Sequence, residues 1–172
     1  MSSTRRHGRF LLLFSLASLI LITGCIEKTV YPAVLITMTS VTPNPITATV
    51  TTDASGSISL TADPLSVRFS VETGVPSRII SYSVLYETRI GEPLPELSVL
   101  DMPFDLYLPP GGETPVETTA AVEVYTVQAA SLMLNSPSDI APLRATVSFV
   151  IKDVNGNELV KEAHTQLSKP SA

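Results

Sequence analysis

The chain has one cysteine, no tryptophan and two histidines among its 172 residues. A lone cysteine excludes an intramolecular disulfide framework and any metal site built on several thiolates. Zinc needs three or four converging His, Cys or carboxylate ligands, and only His7 and His164 are available as imidazoles. Basic residues are scarce as well: 11 Lys and Arg stand against 16 Asp and Glu, a net charge of −5. Binding to nucleic acid depends on clustered Lys and Arg, so an acidic chain argues against that class of partner. No Gly-x-Ser-x-Gly elbow is present to aim a nucleophilic serine. No glycine-rich phosphate cradle is present either. Gly111-Gly112 follows Pro109-Pro110 and reads as a loop hinge. Beyond residue 25 no long amphipathic helix pattern stands out.

What is present is concentrated first at the amino terminus. Arg5, Arg6 and Arg9 precede an apolar run from Phe10 to Ile22 that only Ser15, Ala17 and Ser18 interrupt. A basic head, a short apolar stretch and small residues at a cut site make an export signal. The run falls short of the roughly 20 apolar residues that a spanning helix needs. Arg5-Arg6 adds head charge only, because His7, Gly8 and Arg9 stand where a twin-arginine signal places Phe. The run ends in Ile22-Thr23-Gly24-Cys25. These four residues resemble the lipobox of bacterial lipoproteins: a branched apolar residue, a small residue, Gly or Ala, then an obligatory Cys. The resemblance implies a diacylglycerol on the Cys25 thiol, cleavage between Gly24 and Cys25, and acylation of the new amino group. The plainer account is an uncleaved apolar anchor with Cys25 as an ordinary thiol; it leaves unexplained why the only cysteine stands at this position.

On the lipobox reading, residues 1–24 are a signal peptide and residues 25–32 are the lipidated cysteine with a short tether. Residues 33–168 are one domain, and residues 169–172 a tail. Removing 24 of 172 residues leaves 148, a length suited to one domain. Three of the eleven basic residues go too, leaving eight against sixteen acids and a net charge near −8. Charge of that sign does not bind anionic lipid, so the acyl chains carry the membrane attachment. Seven extended residues between Cys25 and the domain reach about 25 Å, which keeps the domain near the bilayer. Ile26 follows Cys25, where the Asp that retains some lipoproteins on an inner membrane is absent. The outer membrane of a cell envelope is therefore favoured over the inner one.

The remainder reads as strands and turns. Leu65, Val67, Phe69 and Val71 alternate with Ser66, Arg68, Ser70 and Glu72, the period of a half-buried strand. Ile80, Tyr82, Val84 and Tyr86 are expected to line one face of a second long strand. Val34, Ile36 and Met38, then Ile46, Ala48 and Val50, alternate similarly. Phe104, Leu106 and Leu108 mark a further short strand, and Val122, Val124 and Val127 another. Gln128–Leu134 reads as either strand or helical turn. Near the end, Val147, Phe149 and Ile151 lead into Asp153-Val154-Asn155-Gly156 and a returning strand over Glu158–Thr165. A two-residue Asn155-Gly156 loop would oppose Asp153 to Glu158. A type I turn with Gly156 in the left-handed bulge opposes Lys152 to Glu158 and Ile151 to Leu159, and cross-strand charge favours it.

Many short strands with turns between them predict an all-β fold, an antiparallel sandwich of about 7–9 strands. Leu65-x-Val67-x-Phe69, a turn, then Tyr82-x-Val84-x-Tyr86 resemble a fibronectin type III or related immunoglobulin-like module over about 25 residues. That family usually has Trp where Phe69 stands, and the Cys–Trp–Cys core of antibody domains is also missing.

Candidate chemistry is thin. Glu92 and Glu96 share a proline-rich loop, with Asp101 and Asp105 beyond it. A glycosidase holds two carboxyls about 5–10 Å apart across a cleft, and solvated loop charge is the plainer account. Asp153, Asn155, Asn157 and Glu158 suggest a calcium loop, but Gly and Glu fall at the fourth and sixth positions rather than the sixth and twelfth. His164, on the last strand, is a lone candidate base. No catalytic, cofactor or metal residue is therefore assigned. Two functions stay open: a non-catalytic envelope module that binds a protein partner, and a carboxylate hydrolase or a small-ligand or sugar binder using Tyr82, Tyr86, Tyr107 and Tyr125.

Overall fold

The computed structural model describes residues 34–55, 58–136 and 140–171. Ile22, Thr23, Gly24 and Cys25 lie outside the described residues. The order is β1 (Ile36–Thr42), β2 (Ala48–Thr52), β3 (Ile58–Ala62), β4 (Leu65–Val71), β5 (Ser77–Glu87), β6 (Val99–Leu108), β7 (Val116–Val122), α1 (Val127–Asn135), β8 (Leu143–Asp153) and β9 (Glu158–Leu167). The fold is all-β. Its named strand pairs are antiparallel and form a three-stranded sheet β1-β4-β7, a four-stranded sheet β6-β5-β8-β9 and the hairpin β2-β3.

Period-two patterning explains which faces meet. Leu65, Val67, Phe69 and Val71 of β4 are fully buried, as are Val147, Phe149 and Ile151 of β8. The rings of Phe69 and Phe149 meet edge to face at 5.3 Å, which places the inner faces of the two larger sheets against one another. Among the described residues no buried side-chain nitrogen or oxygen lacks a hydrogen-bond partner.

β5 departs from simple alternation. Ile79 is buried and Ile80 is exposed, whereas the pattern places Ile80 on the inner face with Tyr82, Val84 and Tyr86. The register shifts between Ile79 and Ser81 against both β6 and β8. One extra residue flips every side chain on one side of it, so Ile79 shares a face with Val84 and Tyr86.

The ambiguous stretch after β7 is a helix. The Thr126 hydroxyl accepts a hydrogen bond from the Ala129 N–H (3.2 Å), satisfying a free donor of the first turn. Ala129, Ala130 and Met133 are buried along one face. β7 itself ends at Val122, so Val124 and Val127, read as strand, belong to the connection and the helix start. The β8–β9 hairpin takes the register that charge favours: Lys152 faces Glu158, Ile151 faces Leu159, and Gly156 has φ +85°. β2 runs alongside the end of the chain, with Ile46 N donating to Gln166 O (2.7 Å) and Val50 N to Ser171 O (2.9 Å).

Gly111 is a packing position as much as a hinge. Its N–H donates to Thr73 O (2.8 Å), and a Cβ there would overlap the Val71 carbonyl group. Gly112 has nothing within 4 Å of such an atom. Gly111→Ala is expected to cost about 1–3 kcal/mol through forced backbone displacement, and Gly112→Ala only a few tenths. Urea unfolding of the two variants checks this; equal costs would contradict it.

Candidate functional site

The four predicted carboxylates all lie at exposed positions. Glu92 and Glu96 are exposed on the loop between β5 and β6. That loop is held by its backbone, with Thr88 N donating to Glu92 O (2.8 Å) and Leu94 N to Tyr86 O (2.8 Å). Asp101, at φ +51°, receives its fixed position from a hydrogen bond of its N–H to Ser83 Oγ (3.0 Å). Asp105 is exposed and forms an ion pair with Arg78, whose guanidinium also lies 5.8 Å from the Tyr107 ring centre. Among the described residues no group of three or more His, Cys, Asp or Glu is placed to hold a metal.

His164 is exposed on β9 opposite Thr146, whose hydroxyl lies 3.1 Å from Nδ1. It borders a shallow polar depression of about 430 Å³ shared with Asn44, Glu87, Arg144 and Gln166. The Asp153 carboxylate is occupied by its own turn. It accepts from Asn157 Nδ2 (2.8 Å), Asn157 N (2.9 Å) and Asn155 N (2.8 Å). These bonds, the Asn157 side chain foremost, hold its pKa below the ordinary carboxylate range. The residues that suggested a calcium loop are thus accounted for by a turn.

Tyr86 and Tyr125, read in the sequence as possible ligand contacts, each bond a backbone carbonyl, and a lateral opening lies beside them. Between the sheets, on the β6 side, lies an opening of about 460 Å³ lined by Leu60, Tyr82, Val99, Met102 and Val124, with Asp63 and Glu123 also on its wall. The segment Glu123–Thr126 that walls it is clasped from both directions. Tyr86 Oη donates to Val124 O at 2.6 Å, and Tyr125 Oη donates to Ser168 O at 2.5 Å. Burial, with a smaller contribution from Tyr82, pushes the Tyr86 phenol far above its ordinary pKa. Burial also raises Tyr125 to about 12. A phenol can be recognised in sequence as half of a strand pattern, but its acceptor is a backbone carbonyl some 40 residues away and leaves no mark on composition.

These two groups fix a pH dependence. Both bind their proton more tightly in the folded than in the unfolded chain, where tyrosine titrates near 10. Their contribution is therefore complete below about pH 10 and is lost as pH rises toward 12. Tyr86→Phe is expected to cost about 1–3 kcal/mol by leaving the buried Val124 carbonyl unpaired, and to flatten the alkaline fall in stability. Urea midpoints measured from pH 8 to 12 check both; an unchanged alkaline slope in the variant would contradict the clasp.

Among the described residues no helix is long and apolar enough to cross a membrane. No protein-family model and no curated protein sequence matches the chain.

Proposed function

We propose that the chain is a bacterial envelope lipoprotein, cleaved before Cys25 and held by acyl chains on that residue, whose β domain is a non-catalytic binding or assembly module. The observation that carries the reading is Ile22-Thr23-Gly24-Cys25 directly behind a basic head and a short apolar run, with no other cysteine in the chain. The tether to β1 is short enough to keep the domain at the bilayer surface, and Ile26 after Cys25 favours the outer membrane.

Strand orders β1-β4-β7 and β6-β5-β8-β9 with facing aromatic cores support an immunoglobulin-like sandwich. Such a module binds through edges and loops rather than through a reaction centre. The exposure of Glu92, Glu96, Asp101 and Asp105 supports binding over carboxylate hydrolysis.

Mass spectrometry of the natural protein tests the anchor. Expected is an amino terminus at Cys25 carrying at least a diacylglycerol; a bare thiol, or residues 1–24 still attached, overturns it. Affinity capture from solubilised membranes tests the module: a specific partner supports it, and a monomer with no partner counts against it.

A further inference from the structure

Sheet edges in natural proteins are blunted, because an unpaired row of N–H and C=O groups templates another strand. Three of the four edges of the two larger sheets follow that rule. β1 has a register shift between Met38 and Ser40. β6 has Pro103 in its middle, the left-handed Asp101 and two register shifts against β5. β9 carries Glu158, Lys161 and Glu162 along its length, and Ile46 bridges it only at its carboxyl end, at Leu167. β7 is different. It pairs with β4 without a shift over all seven residues, contains no proline, and carries one charge, Glu117, which is tied to Arg68 at 3.5 Å. Among the described residues no backbone hydrogen bond outside the β4 ladder reaches Val116–Val122.

Among the described residues, the inner face on the β6 side is also incompletely covered. A three-stranded sheet faces a four-stranded one. Inner residues of the interior strand β8 are fully buried, whereas Phe104 and Leu106 of β6 and Tyr82 of β5 are only half covered. The opening lined by Tyr82, Val99 and Met102 reaches Glu123, the residue after β7, and is walled there also by Leu60, Ala62 and Val127. Glu123 directly follows β7, and Asp63 precedes Leu65, the partner of Val122, so both acids stand at the end where β7 stops. Neither Asp63 nor Glu123 is in an ion pair among the described residues.

We propose that the lane beside β7, opposite β6, takes an extended segment of a partner protein as an added antiparallel strand. Alternate apolar side chains of that segment cover Phe104, Leu106 and Met102. A basic residue at its amino-terminal end meets Asp63 and Glu123. This deepens the binding-module reading and rests on it for the biological partner, but the lane itself is independent of the lipid anchor.

The probe is a synthetic peptide as long as β7, with valines alternating with threonines and a pair of lysines at its amino end. It is added to the detergent-solubilised full chain and read by backbone hydrogen exchange. Expected is a slowing of exchange in residues 116–122 of at least about tenfold. The same peptide with its lysines moved to the carboxyl end is expected to protect less. In an antiparallel edge strand, successive N–H groups point alternately to the neighbour and to the open side. Of Thr118→Pro and Thr119→Pro, one therefore breaks the ladder to β4 and lowers thermal stability. The other keeps stability and loses the peptide-induced protection.

The proposal is overturned if the peptide leaves 116–122 unchanged, or if the stability-neutral proline variant binds as well as the parent. It is equally overturned if sedimentation shows the chain dimerising with the same segment protected, since a second copy is then the occupant. A protected edge on a chain without acyl groups refutes only the anchor; an unprotected edge on a lipidated chain refutes only the lane.

Discussion

Cys25→Ala is expected to leave the precursor uncut, unlabelled by a palmitate analogue, and 24 residues longer than the processed parent. The physical reason is that no other residue offers a thiol for thioether formation. Each buried methylene contributes about 0.8 kcal/mol, and two chains suffice for stable anchoring where one gives only marginal binding. An acidic domain supplies no electrostatic substitute for the lost chains. The variant is therefore held, if at all, by the uncleaved apolar run alone. Labelling that persists in Cys25→Ala would refute the lipobox assignment outright. Ile26→Asp separates attachment from sorting: it should incorporate label as the parent does, while moving the protein toward the inner membrane in a cell that has two.

How much of this was legible from residues alone follows from how local each signal is. β4 was readable because Leu65, Val67, Phe69 and Val71 alternate without interruption. The β8–β9 register was readable because it is decided by a turn and by one charge pair, Lys152 with Glu158, six residues apart. The inner face of β5 was misread at Ile80: a bulge is imposed by neighbouring strands and leaves apolar residues at 79 and 80 looking equally suitable. β6 extends from Val99 although Pro103 interrupts it, because an edge strand tolerates a residue without an N–H. The lane beside β7 was invisible for a deeper reason. An unfilled position in a sheet is a property of strand order, and strand order is settled by contacts between segments such as β4 and β7 that lie 45 or more residues apart. The acids at Glu92, Glu96, Asp101 and Asp105 show the converse: closeness in sequence gave them the look of a constellation, and every one of them is exposed.

Phe149→Ala is expected to be among the most damaging substitutions within the domain, costing about 3–5 kcal/mol. Phe149 is fully buried, stands edge to face with Phe69 at 5.3 Å, and lies 6.3 Å from Tyr82. It thus joins the centre of one sheet to the centre of the other. With no disulfide or described metal cluster to supplement the core, that loss is a large share of the roughly 5–15 kcal/mol typical of a whole domain. Phe149→Leu, which keeps most of the volume, should lose much less. Phe69→Ala should cost a similar amount to Phe149→Ala. The double variant should fall short of the sum of the two, because the edge-to-face term of about 0.5–1.5 kcal/mol is removed by either change and the cavities merge. Urea midpoints with unchanged slopes measure all four. A cost below about 1 kcal/mol for Phe149→Ala, or strict additivity with Phe69→Ala, would mean that the two sheets do not share one interior.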